Sequence, residues 1–187
     1  MKTTLIRTPL LAVAALLLSA GAPGAEPAVR DGSGDFDFLM GSWKVHLERL
    51  TKPLTGSNAW VELDGKVTVR KLLGGPANSD ELEVTDPATG TKIKSFTFRM
   101  YDAETGYWRI YWARTTHGSI GVPVVGRFQN GRGEFYSHED FQGKSIFVRY
   151  AWHGITEKEA HFEQAFSIDG GRTWEPNWKT KFTRESK

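Results

Sequence analysis

The chain has 187 residues, with 24 basic and 22 acidic side chains, so its formal net charge is only +2. A length of this order suits one domain. Cysteine is absent, which excludes a disulfide framework, a thiol nucleophile and a cysteine-based metal site. No block of Lys or Arg stands out, so nucleic acid is not an expected partner.

The first 25 residues have the pattern of a secretory signal peptide. Lys2 and Arg7 provide a basic start, residues 10–20 are apolar except for one Ser, and residues 20–22 form a small-x-small cleavage signal. The apolar run is too short to span a bilayer, which takes about 20 residues, so no integral membrane span is expected after cleavage. The sequence therefore predicts a periplasmic or secreted protein. Removing Lys2 and Arg7 from the 24 basic residues leaves 22 against 22 acidic ones, so the mature protein is near neutral.

Residues 26–34 are polar and contain Gly and Pro, which predicts a flexible lead before a barrel domain that spans residues 35–185. Residues 35–40 have the length of one helical turn, either α-helical with Asp35 as the cap or 3₁₀. Gly41-Ser42-Trp43 follows. The Gly permits a tight turn, and the Trp can lie across the floor of a barrel and close it with a large apolar area.

From Trp43 onward, short β-type segments alternate with turns, and no run of ten residues has helical periodicity. Asn130-Gly131 is the strongest hairpin signal, and the hairpin loop 102–106 is predicted to have five residues. Gly65 predicts a bend or bulge inside its strand. The weak acidic segment 78–85 is predicted to be an edge strand. The predicted strands are 43–50, 60–73, 78–85, 93–101, 107–114, 124–129, 133–139, 145–153, 160–168 and 173–183.

About ten sequential strands joined by short turns close most simply into an all-β, antiparallel up-and-down β-barrel. Closure removes the exposed edges that a long open sheet would present. A barrel of this size has room inside for one small ligand. A β-sandwich is the alternative fold, although it usually needs longer crossover connections than this sequence offers.

Four segments share a pattern with a known family. They are residues 36–43 (Phe-Asp-Phe-Leu-Met-Gly-Ser-Trp), residues 109–112, residues 123–131 with their Asn-Gly turn, and residues 163–178. Together they resemble the bacterial lipocalin-like, calycin-type proteins of the DUF1579 group. The resemblance implies a single closed β-barrel with a central cavity, and it brings no catalytic set with it. More distantly, the pattern is similar to haem-binding nitrobindin-like barrels, although this chain lacks that group's second Gly after the Trp.

The seven Trp, five Tyr and eleven Phe suit both a β core and the wall of a small-molecule pocket. A packed core without room is one interpretation. Gln164, a polar amide among aromatic residues, favours a pocket, because a buried amide needs partners that a ligand or water can supply. The predicted ligand-binding residues are Trp43, Phe98, Trp108, Tyr111, Trp112, Tyr150, Trp152, Gln164, Phe166 and Trp178.

Charged side chains within the strands give two further predictions. Arg99, Arg127 and Arg149 are predicted to lie on the outer wall in cross-strand ion pairs, where Glu62, Glu134 and Glu163 could meet them. The alternative is that one residue of register slip turns them inward, where an arginine would bind a carboxylate or phosphate in bidentate fashion. The histidines lack metal-ligand spacing, so neither a metal nor another cofactor is predicted. Among them, His46 and His161 are the best candidates for a base or a haem ligand.

These features predict an exported barrel that binds a small, mostly apolar ligand, hydrophobic or aromatic, in its cavity. One alternative is an enzyme of isomerase, cyclase or lyase type on the same barrel, with a His, Tyr or Glu as the acid–base group. Haem binding through a single His is a second alternative. A pure interaction module is a third, and it would need an exposed apolar patch instead of a cavity.

Overall fold

A computed structural model describes residues 30–114 and 118–185. The predicted signal peptide 1–25, residues 26–29 of the predicted lead and His117 lie outside the described residues. The described chain forms one 3₁₀ helix, Asp37–Leu39, and ten β-strands. The strands are β1 Gly41–Leu50, β2 Trp60–Leu72, β3 Ala77–Thr85, β4 Lys92–Asp102, β5 Tyr107–Arg114, β6 Val124–Gln129, β7 Arg132–Phe141, β8 Lys144–His153, β9 Glu159–Ser167 and β10 Glu175–Arg184.

The strands form one closed antiparallel barrel. Each strand pairs with the next along the chain, and β10 returns to pair with β1. The predicted all-β up-and-down barrel is therefore confirmed, and the strand bounds lie within two residues of those predicted. The prediction of an edge strand at residues 78–85 is wrong, because β3 is hydrogen-bonded to β2 on one side and to β4 on the other.

The hairpin of β4 and β5 has a different register from the one predicted, so the opposite face of β4 points into the barrel. The loop is one residue shorter than predicted, because Asp102 already pairs with Tyr107. A change of one residue in register exchanges the two faces of a strand. Thr97 therefore pairs with Trp112 and faces the interior, where it is buried. Phe96 lies on the outer wall, 39% exposed, so the predicted inward face of β4, which included Phe98, is wrong.

Gly65 marks a close approach of two backbones and not a bulge. The pairing of β2 with β1 and β3 runs through Gly65 without interruption. A Cβ at this position would lie 2.0 Å from the carbonyl oxygen of Glu83, so only glycine fits. The register shift occurs instead in β10, between Pro176 and Trp178.

One end of the barrel is closed by the segment before β1, which we call the floor. Phe36, Leu39 and Trp43 are at most 1% exposed there. The Trp43 indole nitrogen donates a hydrogen bond to the Leu39 carbonyl oxygen at 2.7 Å, and the Arg184 guanidinium lies 4.1 Å from the centre of the Trp43 ring system. Trp43 thus occupies the floor position that the sequence predicted.

The final residues of the lead are held against this floor. The amide of Gly32 donates to the Tyr101 hydroxyl at 2.8 Å, and its carbonyl accepts a hydrogen bond from the Trp108 indole at 3.0 Å. Asp35 forms an ion pair with Arg30 and does not cap the 3₁₀ helix. Within the described ranges, no helix has the length and hydropathy that a membrane span requires.

Candidate ligand-binding cavity

Above the floor, the barrel encloses a cavity of about 680 Å³. Its lining includes loop residues 51–53 and 55, next to the end of β1, and residues 141–142 at the end of β7. These loops lie at the end of the barrel opposite the floor, and we call this end the mouth. The volume falls in the range of about 300–1,000 Å³ that is typical of small-molecule sites.

Much of the cavity wall is aromatic. Trp112 on β5 and Trp178 on β10 are five strands apart around the barrel, yet their ring centroids are only 6.4 Å apart. The two indoles therefore meet across the lumen, at an interplanar angle of 76°. Edge-to-face packing of this kind is a favourable arrangement for two aromatic rings. The other aromatic lining residues are Phe141, Tyr150, Trp152, Phe162, Phe166 and Phe182.

A polar wall formed by β3 and β4 contributes to the same lining. Arg99 donates to Asp80 at 2.5 Å and to the Asn78 side-chain oxygen at 3.0 Å. The ion-paired side chains are only 5% and 6% exposed. The Arg99 guanidinium also lies 5.2 Å from the centre of the Phe36 ring, so it lies close to the floor. The predicted outer-wall position of Arg99 is wrong, because the shorter β4–β5 loop exchanges the two faces of β4 and turns Arg99 inward as it turns Phe98 outward.

Gln164 lies in the cavity wall, and its amide has a partner in the protein. Its nitrogen donates to the side-chain oxygen of Asn177 at 2.7 Å. Asn177 is the residue at the register shift of β10, and it is 2% exposed. The β10 irregularity therefore supplies the partner that the sequence reasoning assigned to a ligand or water.

Three cavity-lining residues have a buried polar atom with no hydrogen-bond partner among the described residues. These atoms are the Arg49 Nε, the Ser95 Oγ and the Arg99 Nε. Leaving a buried donor or acceptor unsatisfied costs about 1–3 kcal/mol. Three buried polar atoms behind the cavity wall are therefore left unsatisfied within the described residues.

The sequence analysis did not single out four charged residues of the lining, which are Arg49, Lys52, Asp80 and Glu139. Arg49 follows Trp43, Val45 and Leu47 in the same alternation, which was the signal that could have placed it inside. Among the described residues, no carboxylate lies within the 4.0 Å of an ion pair with Arg49. Glu139 lines the cavity from β7 and accepts a hydrogen bond from the Ser137 hydroxyl.

The ten predicted ligand-binding residues fall into three groups. Trp112, Tyr150, Trp152, Gln164, Phe166 and Trp178 line the cavity. Trp43 and Trp108 are buried at the floor. Phe98 and Tyr111 lie together on the outer wall with ring centroids 6.2 Å apart, so their predicted place beside a ligand is wrong. The lining polar residues that the prediction omitted are Arg49, Thr51, Lys52, Thr55, Asp80, Ser95, Thr97, Arg99, Glu139, Gln142, Asn177 and Thr180.

The other two arginines lie on the outer wall, as predicted, but among the described residues only Arg149 forms the predicted cross-strand ion pair. Arg149 forms an ion pair with Glu163 at 3.1 Å across β8 and β9. Arg127 is exposed, with its guanidinium 5.3 Å from the centre of the Tyr107 ring. Neither lines the cavity, so the cavity charge comes from other residues.

The four described histidines do not line the cavity either. His46 lies 2.9 Å from Asp64, and this hydrogen bond raises the pKa of His46 above its usual value. His153 stacks on His161 with centroids 5.5 Å apart, and burial lowers its pKa, with further lowering by Arg132 and His161. Across the described ranges, no group of three or more His, Asp or Glu could hold a metal ion.

The comparison with solved structures identifies the fold. The barrel has a lipocalin-like calycin fold. The crystal structure of Rv2717c from M. tuberculosis matches 84% of this chain and 99% of its own, with a TM-score of 0.56 and 13% identity. The S-type phycobiliprotein lyase CPES from Guillardia theta matches 84% of this chain and 94% of its own, with a TM-score of 0.52 and 10% identity.

Likeness at these identities shows the fold alone. No protein-family model and no curated protein matches the chain. Membership of the DUF1579 group therefore stays a resemblance of four segments. The function has to be argued from the cavity itself.

Proposed function

We propose that the protein is an exported barrel that binds a small, mostly apolar ligand in its cavity. The observation that carries this proposal is a cavity of about 680 Å³ lined by eight aromatic side chains. Concave, largely apolar sites with a few polar groups are typical of small-molecule binding. The indole pair of Trp112 and Trp178 lies where it would contact a guest within the lumen.

The binding test uses apolar fluorescent probes and the retained contents of the protein. We expect 1-aminoanthracene to bind with one-to-one stoichiometry and to quench tryptophan emission. A native mass spectrum of protein taken from its natural compartment should show a small retained mass that is lost on denaturation. Absence of both probe binding and retained mass would contradict a ligand-binding function.

Export is the second part of the proposal, and it rests on the signal-peptide pattern of residues 1–25. We expect N-terminal sequencing of the protein from the periplasm or the medium to begin after residue 22 or 25. An intact N-terminus starting at Met1 on protein recovered from the cytoplasm would contradict export.

A barrel enzyme is the second candidate, and Glu139 is the observation that favours it. This carboxylate lines the cavity, where it can exchange a proton with a bound molecule. Asp80 also lines the cavity, but it is held in the ion pair with Arg99. An enzyme of this kind would convert a bound ligand and lose turnover in Glu139→Gln while retaining binding. A ligand recovered unchanged after prolonged incubation would contradict the enzyme candidate.

The haem alternative needs an axial ligand in the cavity. The described histidines all lie outside it, and His46 and His161 project from the outer wall. An absorption spectrum of the purified protein tests this alternative directly, because haem gives a Soret band.

A further inference from the structure

We propose that the cavity ligand carries a carboxylate, that Arg49 binds this group, and that its flat apolar body lies against the indoles of Trp178 and Trp112. This inference rests on the proposed function and specifies the chemical class of the ligand. The inference rests on two observations: Arg49 lines the cavity, and its Nε is buried without a hydrogen-bond partner among the described residues.

Arg49 differs from the other basic residues of the cavity. Arg99 is neutralised by Asp80 at 2.5 Å. Lys52 lies in the loop after β1 and is exposed. Arg49 is half-buried, its Nε is buried without a hydrogen-bond partner, and no carboxylate of the described chain is paired with it. A partly desolvated guanidinium without a counter-charge is costly, and an anion that binds it forms charge-assisted hydrogen bonds and supplies the missing counter-charge.

The chemistry of the guanidinium favours a carboxylate as that anion. Its planar fork of N–H donors matches the two oxygens of a carboxylate and can bind them in bidentate fashion. One free guanidinium matches one negative charge, whereas a phosphate monoester carries about −1.5 to −2 charges at neutral pH. The described lining carries three basic residues (Arg49, Lys52 and Arg99) and two acidic ones (Asp80 and Glu139), so its one net positive charge also fits a monocarboxylate.

The register places the apolar part of the site beside this cation. Arg49 on β1 pairs directly with Trp178 on β10, and directly paired residues have neighbouring side chains on one face. Trp178 in turn contacts Trp112 across the lumen. A ligand held at Arg49 by its carboxylate thus extends its body toward the indole pair.

The test compares two probes of nearly equal shape, anthracene-9-carboxylate and anthracene-9-carboxamide, by calorimetric titration of the purified protein. We expect the carboxylate to bind at least about tenfold more tightly, because only it forms charge-assisted hydrogen bonds. Arg49→Gln should weaken carboxylate binding by about 10- to 100-fold and leave carboxamide binding within about threefold. Equal binding of both probes to the unaltered protein would overturn the inference.

Two variants control this experiment. Arg127→Gln removes the same charge from the outer wall, where Arg127 is exposed, and should change the binding of neither probe. Arg49→Lys keeps the charge but not the fork, so its affinity for the carboxylate should lie between those of the unaltered protein and the Arg49→Gln variant. The Arg49→Lys variant also keeps the test usable if the Arg49→Gln variant is too unstable to be titrated.

Three results of these titrations would contradict different parts of the binding model. If 1-aminoanthracene binds but Arg49→Gln does not weaken the binding of anthracene-9-carboxylate, the cavity is a binding site for neutral ligands and the anion inference is wrong. If Arg127→Gln weakens carboxylate binding as much as Arg49→Gln does, the effect is one of overall charge, and the assignment to Arg49 is wrong. If no probe binds and the native mass spectrum shows no retained mass, both the inference and the proposed function are contradicted.

Discussion

Removing one partner of the buried ion pair between Asp80 and Arg99 should destabilise the barrel strongly. Both side chains are about 95% buried, so a single substitution leaves a charge in the interior without its counter-charge. Breaking a buried pair in this way typically costs about 3–5 kcal/mol. For a domain of this size, each kcal/mol lowers the thermal midpoint by about 2–4 °C. Arg99→Met should therefore lower the midpoint by roughly 6–20 °C.

The double substitution is the decisive part of this experiment. Replacing Asp80 by Leu together with Arg99→Met removes both charges, and such replacements are often neutral or stabilising. We expect the double variant to be clearly more stable than either single variant, measured by thermal and urea unfolding. Removal of the exposed pair of Lys181 and Glu159, whose side chains are 48% and 44% exposed, should change little and serves as the control. Additive losses in the double variant would refute the reasoning that the pair is coupled.

Two further predictions concern a close backbone contact and the histidines. Gly65→Ala places a Cβ 2.0 Å from a carbonyl oxygen, so it should cost about 3 kcal/mol or more in urea unfolding. Gly121→Ala, whose Cβ would meet its nearest atom at 3.5 Å, should cost little, and equal losses would contradict the close approach. In an NMR titration, the pKa of His46 should lie above 6.5 and that of His153 below it. The stability gained from His46 is then full below pH 6.5 and lost as the pH rises through its folded pKa. The stability gained from His153 is present above pH 6.5 and lost as the pH falls through its folded pKa. The reverse order of the two values would contradict these assignments.

The strands and the closed barrel were predictable from the sequence because short alternating segments and turn residues are local signals. Trp43 in the floor followed from its position after a glycine. The face of β4 was not predictable, because it depends on whether a loop has four or five residues, and local composition fits both lengths. This one difference moved Phe98 to the outer wall and brought Arg99 inside.

The polar part of the cavity depends on pairing between distant segments. Asp80 and Arg99 lie on neighbouring strands, and their contact appears only once the register of β3 and β4 is known. Asn177 becomes the partner of Gln164 through an irregularity of β10 that has no sequence signal of its own. The inward position of Arg49 was predictable from the sequence, because Arg49 continues the alternation of Trp43, Val45 and Leu47 along β1.

Filling the cavity with a larger side chain and then measuring probe binding tests whether the ligand site lies inside the barrel. Thr97 is buried and lines the cavity, whereas Met100 on the same strand is 38% exposed on the outer wall. Thr97→Phe should weaken binding of 1-aminoanthracene at least about tenfold, because its ring occupies the volume of the probe, while Met100→Phe should leave binding unchanged. Thermal unfolding of both variants verifies that the barrel is intact. Equal affinity of the two folded variants would contradict binding inside the barrel and move the site to another surface.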